Sequence, residues 1–364
     1  MARELDFETS TAAGTDSPPE PYPAIAERVR RSLLKTPFSP HRMFVNGHSQ
    51  TLASYTWFRP GLNARSLTDT ERIFDVAPGI RLLAKCRWQS AAPSPTLLLV
   101  HGLEGSADSR YMLGTADKAF DAGFNVLRLN MRNCGGTEHL TPTLYNSGLS
   151  GDFRSVVNEL IQVDGIQSIF VAGFSMSGNI ALKYAAEDGA ECPAQLKAFC
   201  AISPSVDLSA CADAINFHSN SVYRLSFMSS LRRRVRRKHR IYPALYDTAG
   251  LWKIRTIRDF DERYTASDGG FLNADDYYEK ASAAKLLGRI QKPTLIIHAQ
   301  DDPFVPFFPL AESPASSNNQ IVLLTPKHGG HVGFLADSTK SEDRFWAENR
   351  VVEFCKTINE EGVW

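Results

Sequence analysis

The 364-residue chain has six cysteines, Cys86, Cys134, Cys192, Cys200, Cys211 and Cys355, but no CxxC pair and no metal-type spacing. That argues against a zinc ribbon or an iron–sulfur framework and reads as reduced thiols inside a cell. No run of about 18 apolar residues occurs, so no transmembrane helix is expected. The opening MARELDFETS is too acidic and polar for a secretory signal. Lys plus Arg and Asp plus Glu stand at 40 each, so no global field favours nucleic acid. No internal repeat is evident. These absences favour a cytoplasmic protein and leave loose membrane association open.

What is there is a soluble globular balance, 43% hydrophobic and 22% charged. The length suits one large domain or two ordinary ones. Residues 1–22 end in TDSPPEPYP and read as a flexible arm, with the folded domain over 23–364. Residues 72–88 alternate around Pro78-Gly79 and predict a β-hairpin. A rhythm follows. Strands are expected at 96–102, 125–132, 168–174, 196–204, 293–300 and 320–326. Helices are expected near 109–121, 151–163, 176–187 and 341–358. Alternating strands and helices imply an α/β protein, its mostly parallel central sheet covered by helices on both faces. Between about 206 and 288 the rhythm stops in a polar, aromatic, helix-leaning stretch. It sits where an inserted helical cap over a site would sit.

The chemistry-bearing stretch is GFSMSGNI, 173–180, between a predicted strand and a predicted helix. It nearly matches G-x-S-x-G, the sharp elbow that exposes a serine above a sheet. The elbow needs small residues two before and two after the nucleophile. Centring on Ser175 gives Gly173 and Ser177 as flanks; centring on Ser177 gives Ser175 and the bulkier Asn179. Ser175 is therefore the candidate nucleophile, and Ser177 stands in for a glycine. A hydroxyl nucleophile needs a base and an orienting acid. HAQDDPFVP, 298–306, offers Asp301 and Asp302, and Asp302 is preferred because it precedes a rigid turn. TPKHGGHVGF, 325–334, offers His328 and His331, and His331 is preferred because glycines flank it on both sides. Oxyanion stabilisation needs two backbone N–H groups. Met176 follows the nucleophile, and Leu103 follows His101-Gly102 after the first core strand. Gly102 permits close substrate approach, and His101 reads as a structural loop residue.

HGLEGSADSRY, NGHSQT (46–51), GFSMSGNI, DDPFVP and HGGHVGF together resemble the YheT-like branch of the α/β-hydrolase fold family over about residues 40–358. That branch includes bacterial esterases, animal membrane-associated lipid hydrolases and yeast medium-chain fatty-acid ethyl ester synthase/esterases. The resemblance implies an α/β-hydrolase fold with a triad at Ser175, Asp302 and His331. It also implies action on acyl esters without metal or organic cofactor. The chain departs from the family at Ser177 and Asn133, where glycine is usual, and at Asn146, where histidine is frequent.

The expected function is thus a serine esterase acting on a small-molecule or lipid acyl ester. Acyl transfer to an alcohol and a non-catalytic binding role are the alternatives. LRRRVRRKHR, 231–240, packs seven basic residues into ten and is expected to be a solvated cap helix balanced by acidic residues in 259–279. Its other reading is an anionic-surface contact, lipid or nucleic acid. His48 and Gln50 are expected either to line the site or to pack the N-terminal segment. Phe304, Phe307 and Phe308 either wall an acyl pocket or pack the core.

Overall fold

β1 (Thr70–Ala77) and β2 (Ile80–Arg87) form the expected antiparallel hairpin, turning at Gly79, whose φ is +72°. A positive φ at the turn is what glycine supplies without steric cost. The computed structural model describes residues 22–57, 59, 62, 69–90 and 93–361. Most of the expected arm, residues 1–21, lies outside the described residues.

Six strands extend the hairpin into an eight-stranded sheet: β3 (Thr96–Val100), β4 (Asn125–Leu129), β5 (Ile169–Phe174), β6 (Leu196–Ile202), β7 (Thr294–Ile297) and β8 (Ile321–Leu324). The order is β1-β2-β4-β3-β5-β6-β7-β8, with β2 antiparallel to β1 and β4 and all later pairs parallel. Every residue of β3, β4, β5 and β7 is buried, which is why β3, β5 and β7 read as near-continuous apolar runs rather than alternation, while β4 buries Asn125 and Arg128 as well.

In chain order the helices are α1 (Tyr22–Leu34), α2 (Gly47–Thr56), α3 (Arg110–Asp121), α4 (Ser150–Gln162) and α5 (Met176–Asp188). Then come α6 (Leu208–Ala214), α7 (Ser221–Ile241), α8 (Ile257–Phe260), α9 (Ala266–Gly269), α10 (Ala274–Ala281), α11 (Phe308–Ala311) and α12 (Trp346–Glu360). The period-2 alternation of each strand feeds two separate cores. Leu98, Val100 and Val171 pack with Phe153 and Val156 of α4 and Ile180 of α5. Leu97, Leu99 and Phe170 pack with Val29 of α1, Met112 of α3 and Val351 of α12. Truncating one such leucine to alanine costs about 2–5 kcal/mol.

The last helix starts at Trp346 rather than 341, because the preceding segment is used as a short ladder. Leu335 and Phe345 form an antiparallel bridge, and Ala336 N–H donates to the Arg344 carbonyl at 2.8 Å. Between β6 and β7 run α6 to α10, with a π-helical turn, Asp261–Thr265, joining α8 to α9. Their apolar residues close on themselves in small clusters, such as Met228, Leu231, Val235, Tyr246 and Phe260.

Candidate active site

β3 and β5 are neighbours, with Val100 opposite Gly173, so the loops leaving their carboxyl ends meet. Chain that leaves parallel strands at such a point builds the ligand crevice of open α/β sheets. Ser175 lies between β5 and α5 with φ +56° and ψ −117°, the strained conformation of a nucleophile elbow. Strain of this kind costs about 1–3 kcal/mol and persists where surrounding contacts enforce it. Gly173 is one enforcing feature: a Cβ there would run into the backbone of Ser177 and Gly178. Gly102 is another, since a Cβ there would lie 2.9 Å from the Ser175 Cβ.

Ser175 Oγ is 2.9 Å from His331 Nε2, and His331 Nδ1 is 2.7 Å from Asp302 Oδ2. A carboxylate can only accept, so Nδ1 carries the proton and Nε2 is left to accept from the serine hydroxyl. Asp302 Oδ1 accepts the Phe304 and Val305 amides at 3.1 and 2.9 Å, which fixes the carboxylate plane. The Phe304 ring packs on the imidazole at 4.3 Å. The structure therefore brings Ser175, His331 and Asp302 together.

The rejected alternatives form a second pair alongside. His328 Nδ1 is 3.2 Å from Asp301 Oδ2, and Asp301 Oδ1 accepts the Gly330 amide at 3.0 Å. Asp301 thus ties the histidine loop to the β7 loop while Asp302 meets the imidazole. Ser177 is fully buried, and its hydroxyl donates to the His101 carbonyl. It faces away from the imidazole network and joins the elbow to the loop that carries Leu103. His101 accepts the Met131 amide at Nε2, 3.1 Å, and donates Nδ1–H to the Gly102 carbonyl, 2.8 Å. Burial pushes its pKa down to about 4, so it is a neutral structural bracket. The Gly102 amide donates to Tyr111 Oη at 3.0 Å. Leu103 and Met176 line one cavity with Ser175.

Sequence reasoning missed Thr51. Its hydroxyl accepts the His331 amide at 2.8 Å and donates to the Gly47 carbonyl at 2.7 Å. Gln50 is resolved as packing: its amide donates to the Phe44 and Leu335 carbonyls and accepts the Leu335 amide. Exposed His48 reaches across to α7, stacking on Tyr223 with Nδ1 3.1 Å from its hydroxyl.

The basic run requires a correction. Arg234 and Lys238 are buried, not solvated, because they share the inward face of α7 with Leu231 and Val235. Their hydrogen-bond partners lie outside 259–279, although the Asp268 carboxylate, inside it, acts on the Lys238 charge. Arg234 donates to Glu104 Oε1 at 2.7 Å and to the Asn133 carbonyl; Lys238 donates to the Thr141 carbonyl. Glu104, with φ +57°, also accepts the Tyr145 hydroxyl at 2.6 Å. Asn133 has φ +61°, a conformation that asparagine tolerates and glycine takes freely. Of the three phenylalanines only Phe304 lines the cavity; Phe307 packs near His298 and Phe308 is exposed.

The cavity over Ser175 holds about 840 Å³ of empty space, part of it open to solvent. Leu144, Leu208, Ile215, Phe227, Leu231 and Phe260 give it a mostly apolar wall, largely from the segment between β6 and β7. A cavity of this kind suits an apolar chain with one reacting polar group.

A profile of the alpha/beta hydrolase fold family matches residues 95–338. The chain belongs to the α/β hydrolase fold family. The expected likeness to its YheT-like branch is met by YheT of Escherichia coli (strain K12), 31% identical over 89% of this chain and 94% of that protein. "Phospholipase ABHD3" of Mus musculus is 29% identical over 67% of this chain, and "Monoacylglycerol lipase" of Saccharomyces cerevisiae 30% identical over 73%. The alignments span only 59% and 60% of those two proteins. Among solved structures, the esterase Pf2001 of Pyrococcus furiosus aligns with a TM-score of 0.52 at 16% identity, covering 80% of this chain and 94% of that one. Among the described residues no helix is long and apolar enough to cross a membrane.

Proposed function

We propose that this α/β hydrolase is a serine esterase that cleaves carboxylic acyl esters, with Ser175 as nucleophile, His331 as general base and Asp302 as its orienting acid. The observation that carries the reading is the pair of hydrogen bonds, Ser175–His331 at 2.9 Å and His331–Asp302 at 2.7 Å, beside an apolar cavity. Relatives named as a phospholipase and a monoacylglycerol lipase support ester substrates. Their head groups are not carried over, since this chain spans about 60% of their length.

Ser175 Oγ attacks the ester carbonyl while its proton passes to His331 Nε2. Asp302 stabilises the imidazolium and holds its orientation. The tetrahedral oxyanion accepts from the Leu103 and Met176 amides; Met176 opens α5, where unpaired N–H groups and the helix dipole favour negative charge. Collapse breaks the ester C–O bond, and His331 returns the proton to the leaving alkoxide. Water then repeats the sequence on the acyl-enzyme. The segment between β6 and β7, residues 206–288, serves as a cap that gives the acyl chain its apolar wall.

The test is hydrolysis of p-nitrophenyl acyl esters by wild type and Ser175→Ala. We expect a loss of at least about 10³-fold in a variant shown to be folded. Undiminished turnover, or fluorophosphonate labelling that survives Ser175→Ala, would overturn the assignment.

A further inference from the structure

The wall of the cavity that comes from the β6–β7 segment is interrupted by one carboxyl group, Asp261. It is buried, and nothing in the proposed acyl-transfer steps uses it. Its Oδ1 accepts the Thr265 hydroxyl at 2.7 Å and its Oδ2 accepts the Tyr278 hydroxyl at 2.8 Å. Thr265 and Tyr278 also line the cavity, so the three make a polar spot in an apolar surface. Each carboxylate oxygen offers about two acceptor sites. One on each oxygen is filled by the protein, and acceptor capacity remains.

Backbone geometry marks the same place. Asp261 is the first residue of the π-helical turn that interrupts the helix running from Ile257 to Gly269. π turns are rare and cluster at functional sites, because the extra residue re-aims a side chain. Burial also pushes the Asp261 carboxyl up to about 6, so the charged form is held against a desolvation cost. A neutral amide could tie Thr265 to Tyr278 without that cost.

We infer that Asp261, Thr265 and Tyr278 form a polar subsite of the acyl pocket, and that the preferred acyl chain carries a hydroxyl group at its far end that donates to the Asp261 carboxylate. This rests on the esterase reading and names its substrate class: esters of ω-hydroxy acids. A hydroxyl fits better than an ammonium. An ammonium would have to shed its hydration among apolar side chains, and the Asp261 carboxyl already feels the Arg258 guanidinium. A plain alkyl chain leaves the carboxylate facing apolar atoms, the mismatch that sites built to bond a hydroxyl penalise most.

The experiment compares p-nitrophenyl esters of straight acids from butyrate to decanoate, each unsubstituted, with a terminal hydroxyl and with a terminal amine. At the length that reaches the subsite, kcat/KM for the hydroxy ester should exceed that of the unsubstituted ester by at least about tenfold, mostly through KM. In Asp261→Leu that ratio should fall to about one, with Asp261→Ala, which likewise removes the acceptor oxygens, as the second variant should the leucine protein not fold. A ratio near one at every length in wild type overturns the inference. So does a ratio retained in both variants, since a structural role lowers both esters together. Preference for the amine ester overturns the hydroxyl assignment in favour of a cation. The unsubstituted esters, acetate to decanoate, separate the two readings. Wild type that turns over none of them sinks the esterase reading, whereas turnover without any hydroxyl preference sinks only the subsite.

Discussion

Replacing Ser177 by alanine separates the two serines of GFSMSGNI. The Ser177 side chain is fully buried, and its hydroxyl donates to the His101 carbonyl, with the Phe174 carbonyl 3.4 Å away. Alanine keeps the Cβ and suits the helical position, so the perturbation is one hydroxyl. The lost bond is worth about 0.5–1.5 kcal/mol net, and an acceptor left dry adds about 1–3 kcal/mol. Ser177→Ala should therefore unfold about 1.5–4.5 kcal/mol more easily in urea. Activity should suffer only through the loop, because His101 lies two residues before Leu103. A drop in kcat/KM on p-nitrophenyl butyrate of less than about tenfold, under 1.4 kcal/mol of barrier, is expected.

Ser177→Gly adds a test of the backbone. The positive-φ conformation of the elbow falls on Ser175, not on Ser177, so glycine at 177 gains nothing from its freedom. It should be less stable than alanine by about a further 1 kcal/mol. The reasoning fails if folded Ser177→Ala loses activity by about 10³-fold or more, or if Ser175→Ala remains active. Either result would move the nucleophile.

Thr51→Val keeps shape but strips the buried acceptor from the His331 amide. We expect kcat to fall by about tenfold, with Thr51→Ser close to wild type; equal rates in all three would free α2 of a positioning role. Asn179 uses both ends of its amide, donating to Ser147 Oγ and the Ala281 carbonyl at 2.9 and 2.8 Å and accepting the Ala283 amide at 2.9 Å. Asn179→Ala should cost at least about 3 kcal/mol in urea unfolding, and a loss under 1 kcal/mol would contradict the network. His101, with its folded pKa lowered to about 4 against 6.5 unfolded, binds fewer protons folded than unfolded between those values. Its stabilising contribution is full above pH 6.5 and is lost as pH falls towards 4, at up to about 1.4 kcal/mol per pH unit. His101→Gln should flatten the acid limb of stability against pH, and an unchanged slope would refute the buried neutral imidazole.

The inner part of the sheet was legible because β3, β5 and β7 are buried on both faces. Continuous runs such as TLLLV and IFVAGF have no polar alternative, and strand boundaries erred only where polar ends ran into loops. The elbow was legible for a steric reason: the backbone space beside Gly173 admits no Cβ, so the residue type itself carries the geometry. The proposed acid and base were legible as adjacent candidates. Asp301–His328 and Asp302–His331 both form, and sequence order alone could not say which pair would meet Ser175. Turn rigidity and glycine placement favoured Asp302 and His331, the pair whose imidazole lies within hydrogen-bond reach of Ser175. Thr51 left no local signal, because its partner amide lies 280 residues away and a threonine in a short helix looks the same whatever it bonds.

The basic run is a different matter, because its signal was present. Leu231, Arg234, Val235 and Lys238 recur at 3–4-residue spacing, which puts them on one helical face. Two of those positions are apolar, so the face they define had to turn inward and carry its two cations with it. A buried cation needs an acceptor. Counting charge treated the stretch as one solvated block, whereas periodicity divides it into an inward pair and the exposed Arg233, Arg236, Arg237 and Arg240. The inward pair sets how α7 sits, because Arg234 grips Glu104 directly after Leu103. Moving this helix therefore pulls on the loop that supplies one of the two proposed oxyanion amides. Arg234→Met, which keeps much of the apolar stem but gives up the bond, should lower kcat more than it raises KM. A KM effect alone would mean that the pair shapes only the wall.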